Sequence, residues 1–181
     1  MQKKSIYKYA SELGVPAGLY LTLMSACLLF SVKIPVLPVL LLPLAIGFPF
    51  LLWTLMKKIV KEEPSYKKFS SLWLGGIYTV IFGTLICMFF SGIYLVMFEP
   101  GFVHLYVMNA IEAVENSAVA GDYESSIIMM RQALESHILP SGMEFLTTMG
   151  WFTCFIGSMM SLIIALIMSQ GAKRVRSQYP V

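Results

Sequence analysis

The chain has little charge: Asp, Glu, Lys and Arg make up 13% of its 181 residues, while 57% of them are hydrophobic. Ordinary soluble domains are about 25% charged and about 45–50% apolar. A soluble fold of this length could not bury so much apolar surface and still present a polar exterior. The scarcity of charge therefore excludes an ordinary soluble domain and indicates that lipid surrounds much of the chain. The formal net charge of +3 is also too small to indicate a nucleic-acid partner.

The sequence also lacks the residue groups that hold metals or perform catalysis. Its three cysteines, Cys27, Cys87 and Cys154, lie inside apolar runs without a CxxC spacing, so we expect them to pack as small hydrophobic side chains. Its two histidines, His104 and His137, belong to no H-E-x-x-H motif. No nucleophile, base and orienting group occur together. We therefore predict no catalytic residue, no cofactor-binding residue and no metal ligand, and a protein that is not an enzyme.

What the chain does contain is four long apolar runs, each with the length of a transmembrane helix. They cover residues 14–32, 35–56, 72–98 and 145–169. None of them holds an ionisable Asp, Glu, Lys, Arg or His, which argues against ion-coupled transport. The predicted fold class is an all-α membrane protein. A four-transmembrane-helix bundle would form a single membrane domain over residues 1–181.

Two prolines, Pro43 and Pro49, lie inside the second run. Each removes one backbone hydrogen bond of a helix, so we expect the second span to be kinked or broken there. Neighbouring helices can accommodate such a bend. Broken helices also form substrate sites in transporters. The alternative to a structural role is therefore a small transporter or channel component that uses this proline-broken span.

The positions of the basic residues predict the orientation in the membrane. Eleven of the thirteen Lys and Arg residues lie in the N-terminal tail, the loop between the second and third runs, and the C-terminal tail. Only Lys33 and Arg131 lie in the segments on the opposite side. Because basic residues near span ends remain in the cytoplasm, both termini are predicted to be cytoplasmic. Residues 99–144, which hold seven of the ten acidic residues, are then extracytoplasmic.

This acidic segment shows the apolar periodicity of two helices, and Asp122 is a candidate N-cap for the second of them. We therefore predict an extracytoplasmic helical hairpin between spans three and four. It either folds onto the outer end of the bundle or docks a partner, another membrane or envelope protein. The candidate docking stripe consists of Ile127, Met130, Leu134 and Ile138.

Small residues recur at every fourth position in three of the four runs. They include Gly75 and Gly83 in the third run and Gly157 in the fourth. A spacing of four places such residues on one face of a helix, where they let neighbouring backbones approach closely. We expect these faces to pack within one subunit. A homodimer that uses one of them is the alternative.

Two further stretches carry a resemblance to a known family. The Lys-rich stretch YKKFSSLWLGG (residues 66–76) leads into the third run, which ends in FEPGF (residues 98–102). A polar helical segment and a fourth run with a basic tail follow. This pattern resembles domain-of-unknown-function family 4199, small four-span inner-membrane proteins of bacteria. The resemblance implies this architecture and a multi-pass location in the bacterial inner membrane, and it carries over no catalytic residue. We expect a structural or interaction protein that contacts the lipid bilayer.

Overall fold

The computed structural model describes residues 5–34, 36–116, 124–136 and 138–178. These residues contain six α-helices and no β-strand, which confirms the predicted all-α class. A short 3-10 helix, Pro64–Lys67, joins the second helix to the third. The helices are α1 (Ile6–Phe30), α2 (Leu37–Glu62), α3 (Phe69–Met97), α4 (Phe102–Glu115), α5 (Glu124–Glu135) and α6 (Gly142–Gln178).

Four of these helices are long and apolar enough to cross a membrane: α1, α2, α3 and the part of α6 from Gly142 to Gln170. The four predicted spans are confirmed, and with them a multi-pass membrane protein. The helices extend past the predicted ends, since α1 begins at Ile6 instead of residue 14 and α2 continues to Glu62 instead of residue 56. An apolar run marks only the hydrocarbon core of about 30 Å, whereas a helix continues into the polar interface.

The interface between α1 and α3 is the most extensive in the bundle. The two helices run in the same direction, since Gly14 lies against Phe82 and, further along both, Ser25 lies against Ser91. The hydroxyl oxygens of these two serines are 2.7 Å apart and share a hydrogen bond. Small side chains allow this close approach of two backbones in lipid.

A second extensive interface joins α3 to α6, which runs in the opposite direction. Gly76 near the start of α3 lies against Ser161, while Gly92 near its end lies against Leu146 in the first turns of α6. Helix α3 therefore lies between α1 and α6. Helix α2 packs mainly on α1 and makes smaller contacts with α3 and α6.

Helix α2 continues without interruption through Pro43 and Pro49, so the second span is not broken there, whereas a kink at the prolines stays a prediction. The Tyr20 hydroxyl donates a hydrogen bond of 2.8 Å to the Leu44 carbonyl, between the two prolines. The transporter interpretation thereby loses the broken helix on which it was based.

Helix α4 packs across the end of the bundle at which α3 ends. Phe102 and Val103 in its first turn are 1% and 8% exposed. They form one apolar cluster with Leu29 of α1, Leu95 of α3 and Leu146 of α6. Because the cluster contains residues of three spans, α4 is anchored to the bundle as a whole.

Helix α5 packs on α4, so two helices lie between the third and fourth spans. The predicted N-cap of the second of them, Asp122, lies outside the described residues, as does His137. The helix itself is described from Glu124 to Glu135.

Reciprocal hydrogen bonds begin helix α6. The Ser141 backbone N–H donates to Glu144 Oε2 over 2.8 Å, and the Glu144 backbone N–H donates to Ser141 Oγ over 3.2 Å. This is the capping box that the spacing S-x-x-E favours. The predicted span starts at residue 145 and so omits this signal, which lies in the preceding turn.

Candidate functional site

Polar contacts hold α4 and the end of α3 to the loop between α1 and α2. Lys33 in this loop forms an ion pair with Glu99, and Asn109 of α4 donates from Nδ2 to the Val32 carbonyl over 3.1 Å. The hydrogen bond and the negative charge of Glu99 raise the pKa of Lys33 above its ordinary value. Together with the apolar cluster around Phe102, these contacts fix the position of α4.

Helix α5 is held on α4 by an ion pair. Arg131 Nη2 lies 2.6 Å from Glu115 Oε1, and this hydrogen bond raises the pKa of Arg131 above its ordinary value. A groove of about 310 Å³ lies between the two helices. Three carboxylates and one guanidinium make it acidic. Its lining residues are Met108, Ile111, Glu112, Glu115, Arg131, Leu134 and Glu135.

The predicted docking stripe on α5 is divided between two sides of the helix. Ile127 and Leu134 are half-buried, and Leu134 lines the groove against α4. Met130 is 45% exposed, and Ile138, beyond the end of α5, is 75% exposed. The structure therefore brings only part of the stripe to the surface.

Two residues of α5 outside the predicted stripe are also apolar and exposed. Ile128 is 49% exposed and Met129 69%, directly beside Met130. These three residues, Ile128, Met129 and Met130, are called the α5 surface below. In the sequence, IIMM is an apolar run longer than one helical turn of 3.6 residues. The pattern alone could therefore not show which of its members face α4.

The family comparison covers parts of all four spans as well as α4 and α5. A family model described as "Protein of unknown function (DUF4199)" matches residues 12–170. The chain belongs to the DUF4199 family. No curated protein and no solved structure matches it. The resemblance seen in the sequence is thus confirmed, and the matched range of the DUF4199 chain includes α4 and α5.

The three glycines predicted to pack helices lie at contacts inside this DUF4199 chain. A Cβ at Gly83 would come within 3.1 Å of the Gly18 backbone nitrogen in α1. A Cβ at Gly157 would come within 2.5 Å of Val80 Cγ1 in α3, and Gly75 lies against α2. Gly75 also lies against Ile6 of α1, so each of the three glycines faces at least one other helix of the chain.

Among the described residues, no group of three or more His, Cys, Asp or Glu side chains is placed to hold a metal ion. His104 is exposed on α4, and Cys27, Cys87 and Cys154 are free thiols within the spans. The feature that stands out as a candidate site is thus the α5 surface with its acidic groove.

Proposed function

We propose that this protein is a non-enzymatic interaction protein of the bacterial inner membrane, and that the pair α4–α5 binds another envelope protein. The observation that carries the proposal is the α5 surface, where three adjacent apolar side chains are exposed on a helix whose other side is fixed to α4. Adjacent exposed apolar side chains outside the lipid are typical of interaction sites. Because α4 is itself anchored by Phe102, the surface has a fixed orientation.

Both termini are cytoplasmic in this proposal, and the α5 surface lies on the other side of the membrane. Eleven of the thirteen basic residues support this orientation, since they lie in the tails and in the α2–α3 loop. Trp53 and Trp73 flank that loop, and the Lys57 ammonium lies 5.4 Å from the centre of the Trp53 ring. Basic side chains are enriched on the cytoplasmic side, and tryptophans are enriched at both membrane interfaces.

The chemistry of the groove beside the α5 surface favours a partner with apolar and basic side chains. Glu112, Glu115 and Glu135 line the groove with Arg131, which gives three negative charges, one positive charge and a net charge of −2. Such a groove repels anionic lipid headgroups and acidic proteins. A protein with a basic residue beside an apolar patch is complementary to it, whereas an anionic membrane surface is not.

The test is photo-crosslinking in intact cells, with a photoreactive phenylalanine analogue placed at Ile128. We expect one discrete heavier product that contains a second envelope protein. The same analogue at Phe155, which is 62% exposed in a membrane span, reports contacts with lipid instead.

Two charge variants then test whether the crosslinked product depends on the α5 surface or on the rest of the helix. Met129→Asp places a carboxylate in the centre of the surface and should abolish the product, because burying an unpaired charge is unfavourable. Ser125→Asp adds the same charge at an exposed polar position of α5 and should leave the product unchanged. A product that persists equally in both variants, or crosslinks from Ile128 to lipid alone, would contradict the proposal.

A further inference from the structure

Helix α2 ends in three exposed lysines that share one side of the helix. Lys57, Lys58 and Lys61 lie in its last two turns. At about 100° of rotation per residue, the three lie within an arc of about 100° around the helix axis. Leu52 and Ile59, which are fully buried against the bundle, lie on the opposite side of the helix. The three lysines therefore project away from the bundle.

Towards the membrane centre, the same side of α2 exposes large apolar side chains. Ile46 and Phe50 are 66% and 71% exposed, and both lie within about 20° of Lys57 around the helix axis. Along the axis, Phe50 precedes Lys57 by about 10 Å. The residues Ile46, Phe50, Lys57, Lys58 and Lys61 are called the α2 face below. Its apolar part followed by positive charges is complementary to a molecule that carries an apolar chain on an anionic headgroup.

No described carboxylate neutralises the lysines of the α2 face. Lys57, Lys58 and Lys61 form no ion pair with any residue that the structure describes, unlike Lys33 and Arg131 near the opposite end of the bundle. The Lys57 ammonium lies beside the Trp53 ring, an amphipathic side chain of the kind enriched at headgroup level. The three charges are thus available to an anion outside the chain.

Three further exposed lysines lie at the same end of the bundle: Lys8, Lys67 and Lys68. One apolar cluster contains Tyr9 and Ile59, which places the start of α1 beside the end of α2. The 3-10 helix that contains Lys67 packs against both α2 and α3. Against these six lysines, the described residues of this end include three glutamates, Glu12, Glu62 and Glu63, which leaves a net charge of +3. Basic clusters of this size beside a membrane span attract anionic lipid.

We propose that the α2 face binds an anionic phospholipid, with the phosphate beside Lys57, Lys58 and Lys61 and an acyl chain along Phe50 and Ile46. A zwitterionic phospholipid lacks the net negative charge that these lysines complement. A soluble phosphate compound lacks the chain that would cover the apolar part. A water-soluble protein fits less well, because the lysines project sideways from the span into the headgroup region. This site goes beyond the proposed function and shares no residue with the α5 surface.

The test uses the full chain in nanodiscs of phosphatidylcholine and, as the probe, phosphatidylglycerol with a diazirine in one acyl chain. Photolabelling should saturate and should modify α2 peptides that contain Ile46 or Phe50. Phosphatidylcholine with the same diazirine chain should label these peptides only weakly. An excess of glycerol 3-phosphate, which has the phosphate without the chains, should not reduce the labelling.

Two double variants remove the same charge from different places. Lys57→Gln with Lys61→Gln removes two charges from the α2 face and should weaken the apparent affinity for the probe about twentyfold. This figure follows because each lysine near an anionic lipid surface contributes about fivefold. Lys67→Gln with Lys68→Gln is the matched control in the loop before α3, and it should weaken the affinity only about twofold, because salt screens charges outside the site.

A third double variant and an unfolding measurement separate binding from structure. Lys57→Arg with Lys61→Arg keeps both charges and should keep the labelling of the wild type. All the replaced lysines are exposed, so the three double variants should unfold at the wild-type midpoint in phosphatidylcholine. A lower midpoint for the Lys57→Gln, Lys61→Gln protein alone would assign these lysines a structural role and contradict the proposal.

Four further results would overturn the proposal. They are equal losses of affinity in the two glutamine variants, loss of labelling in the arginine variant, equal labelling of α2 by the phosphatidylcholine probe, and displacement of the probe by glycerol 3-phosphate. The same labelling in native membranes tests for a protein at this position. We expect the α2 peptides to be labelled there as in nanodiscs, whereas protection of these peptides in native membranes would show that a protein covers the α2 face instead.

Discussion

Gly83 lies where α3 meets the backbone of α1. A Cβ at this position would be 3.1 Å from both the Ala17 Cβ and the Gly18 nitrogen, so a larger side chain must push the helices apart. We expect Gly83→Leu to lower the free energy of unfolding by about 1–3 kcal/mol, as overpacking does elsewhere. Thermal unfolding in mild detergent measures the loss.

Gly101 offers a control for this substitution. A Cβ there would meet no atom within 4 Å, so Gly101→Ala should cost only what alanine costs at the N-cap of α4 and should lower the unfolding midpoint less than Gly83→Leu. If Gly83→Leu cost no more than Gly101→Ala, the contact between α1 and α3 would be looser than the structure shows.

The ion pair of Lys33 with Glu99 predicts a dependence of stability on alkaline pH. Because Glu99 raises the pKa of Lys33 above 10.5, the folded state holds this proton more tightly than the unfolded state. The contribution is fully present below the unfolded pKa and is lost as the pH rises through the folded pKa. Unfolding midpoints measured between about pH 9 and 12 should show this loss in the wild type, near the titration of lysine. Glu99→Gln should remove this component of the dependence, and identical pH profiles for the two proteins would contradict it.

Single side chains on α5 show where sequence patterns stop being informative. Spacing selected Ile127, Met130, Leu134 and Ile138, yet Leu134 faces α4 while Ile128 and Met129 are exposed. Each residue turns the helix by about 100°, so the exposed face depends on how α5 is rotated against its neighbour. That rotation is set by contacts such as Arg131 with Glu115, which lie sixteen residues apart in the chain.

At the scale of the helix, the start of α6 depends on its capping box. Ser141→Ala removes the side chain that accepts the Glu144 N–H, and it should destabilise the protein by about 0.5–2 kcal/mol, as the loss of an N-cap does. The control is Ser169→Ala on the same helix, whose exposed hydroxyl only donates to the Leu166 carbonyl. Chemical unfolding in detergent should give a lower midpoint for Ser141→Ala than for Ser169→Ala. Equal midpoints would contradict a stabilising cap.

Helix α2 shows why the existence of a span is easier to predict than its shape. Its apolar length is sufficient to predict a membrane helix. Pro43 and Pro49 each remove one hydrogen bond, but whether the helix breaks depends on what lies beside it. Here the Tyr20 hydroxyl of α1 bonds to the Leu44 carbonyl between the prolines. The sequence of α2 alone does not predict that contact, because its donor lies on α1.

For the molecule as a whole, the orientation is the property that a single labelling experiment decides. We expect Ser126→Cys in α5 to react with a membrane-impermeant maleimide in intact cells, and Ser70→Cys at the start of α3 to react only after lysis. Both positions are exposed. The native cysteines lie within the spans and should remain unlabelled. The reverse pattern would invert the proposed orientation.

The four spans could be predicted from the sequence because each apolar run exceeds the length that the hydrocarbon core requires. Their arrangement could not. Small residues line one face of α1, α3 and α6 alike, so the pattern does not reveal that α3 lies between the other two. The buried Thr84 hydroxyl, which has no hydrogen-bond partner among the described residues, was equally hidden, because a threonine that lacks its usual bond looks the same in the sequence as one that has it.

Met88 packs against the apolar cluster that anchors α4 through Phe102. Met88 of α3, which fills the space beside Gly150 of α6, therefore shares neighbours with the first turn of α4. A partner that shifted α4 on binding would therefore also move neighbours of Met88. Binding at the α4–α5 pair and the packing of α3 against α6 would then influence each other, and thermodynamic reciprocity requires the coupling free energy to be equal in both directions.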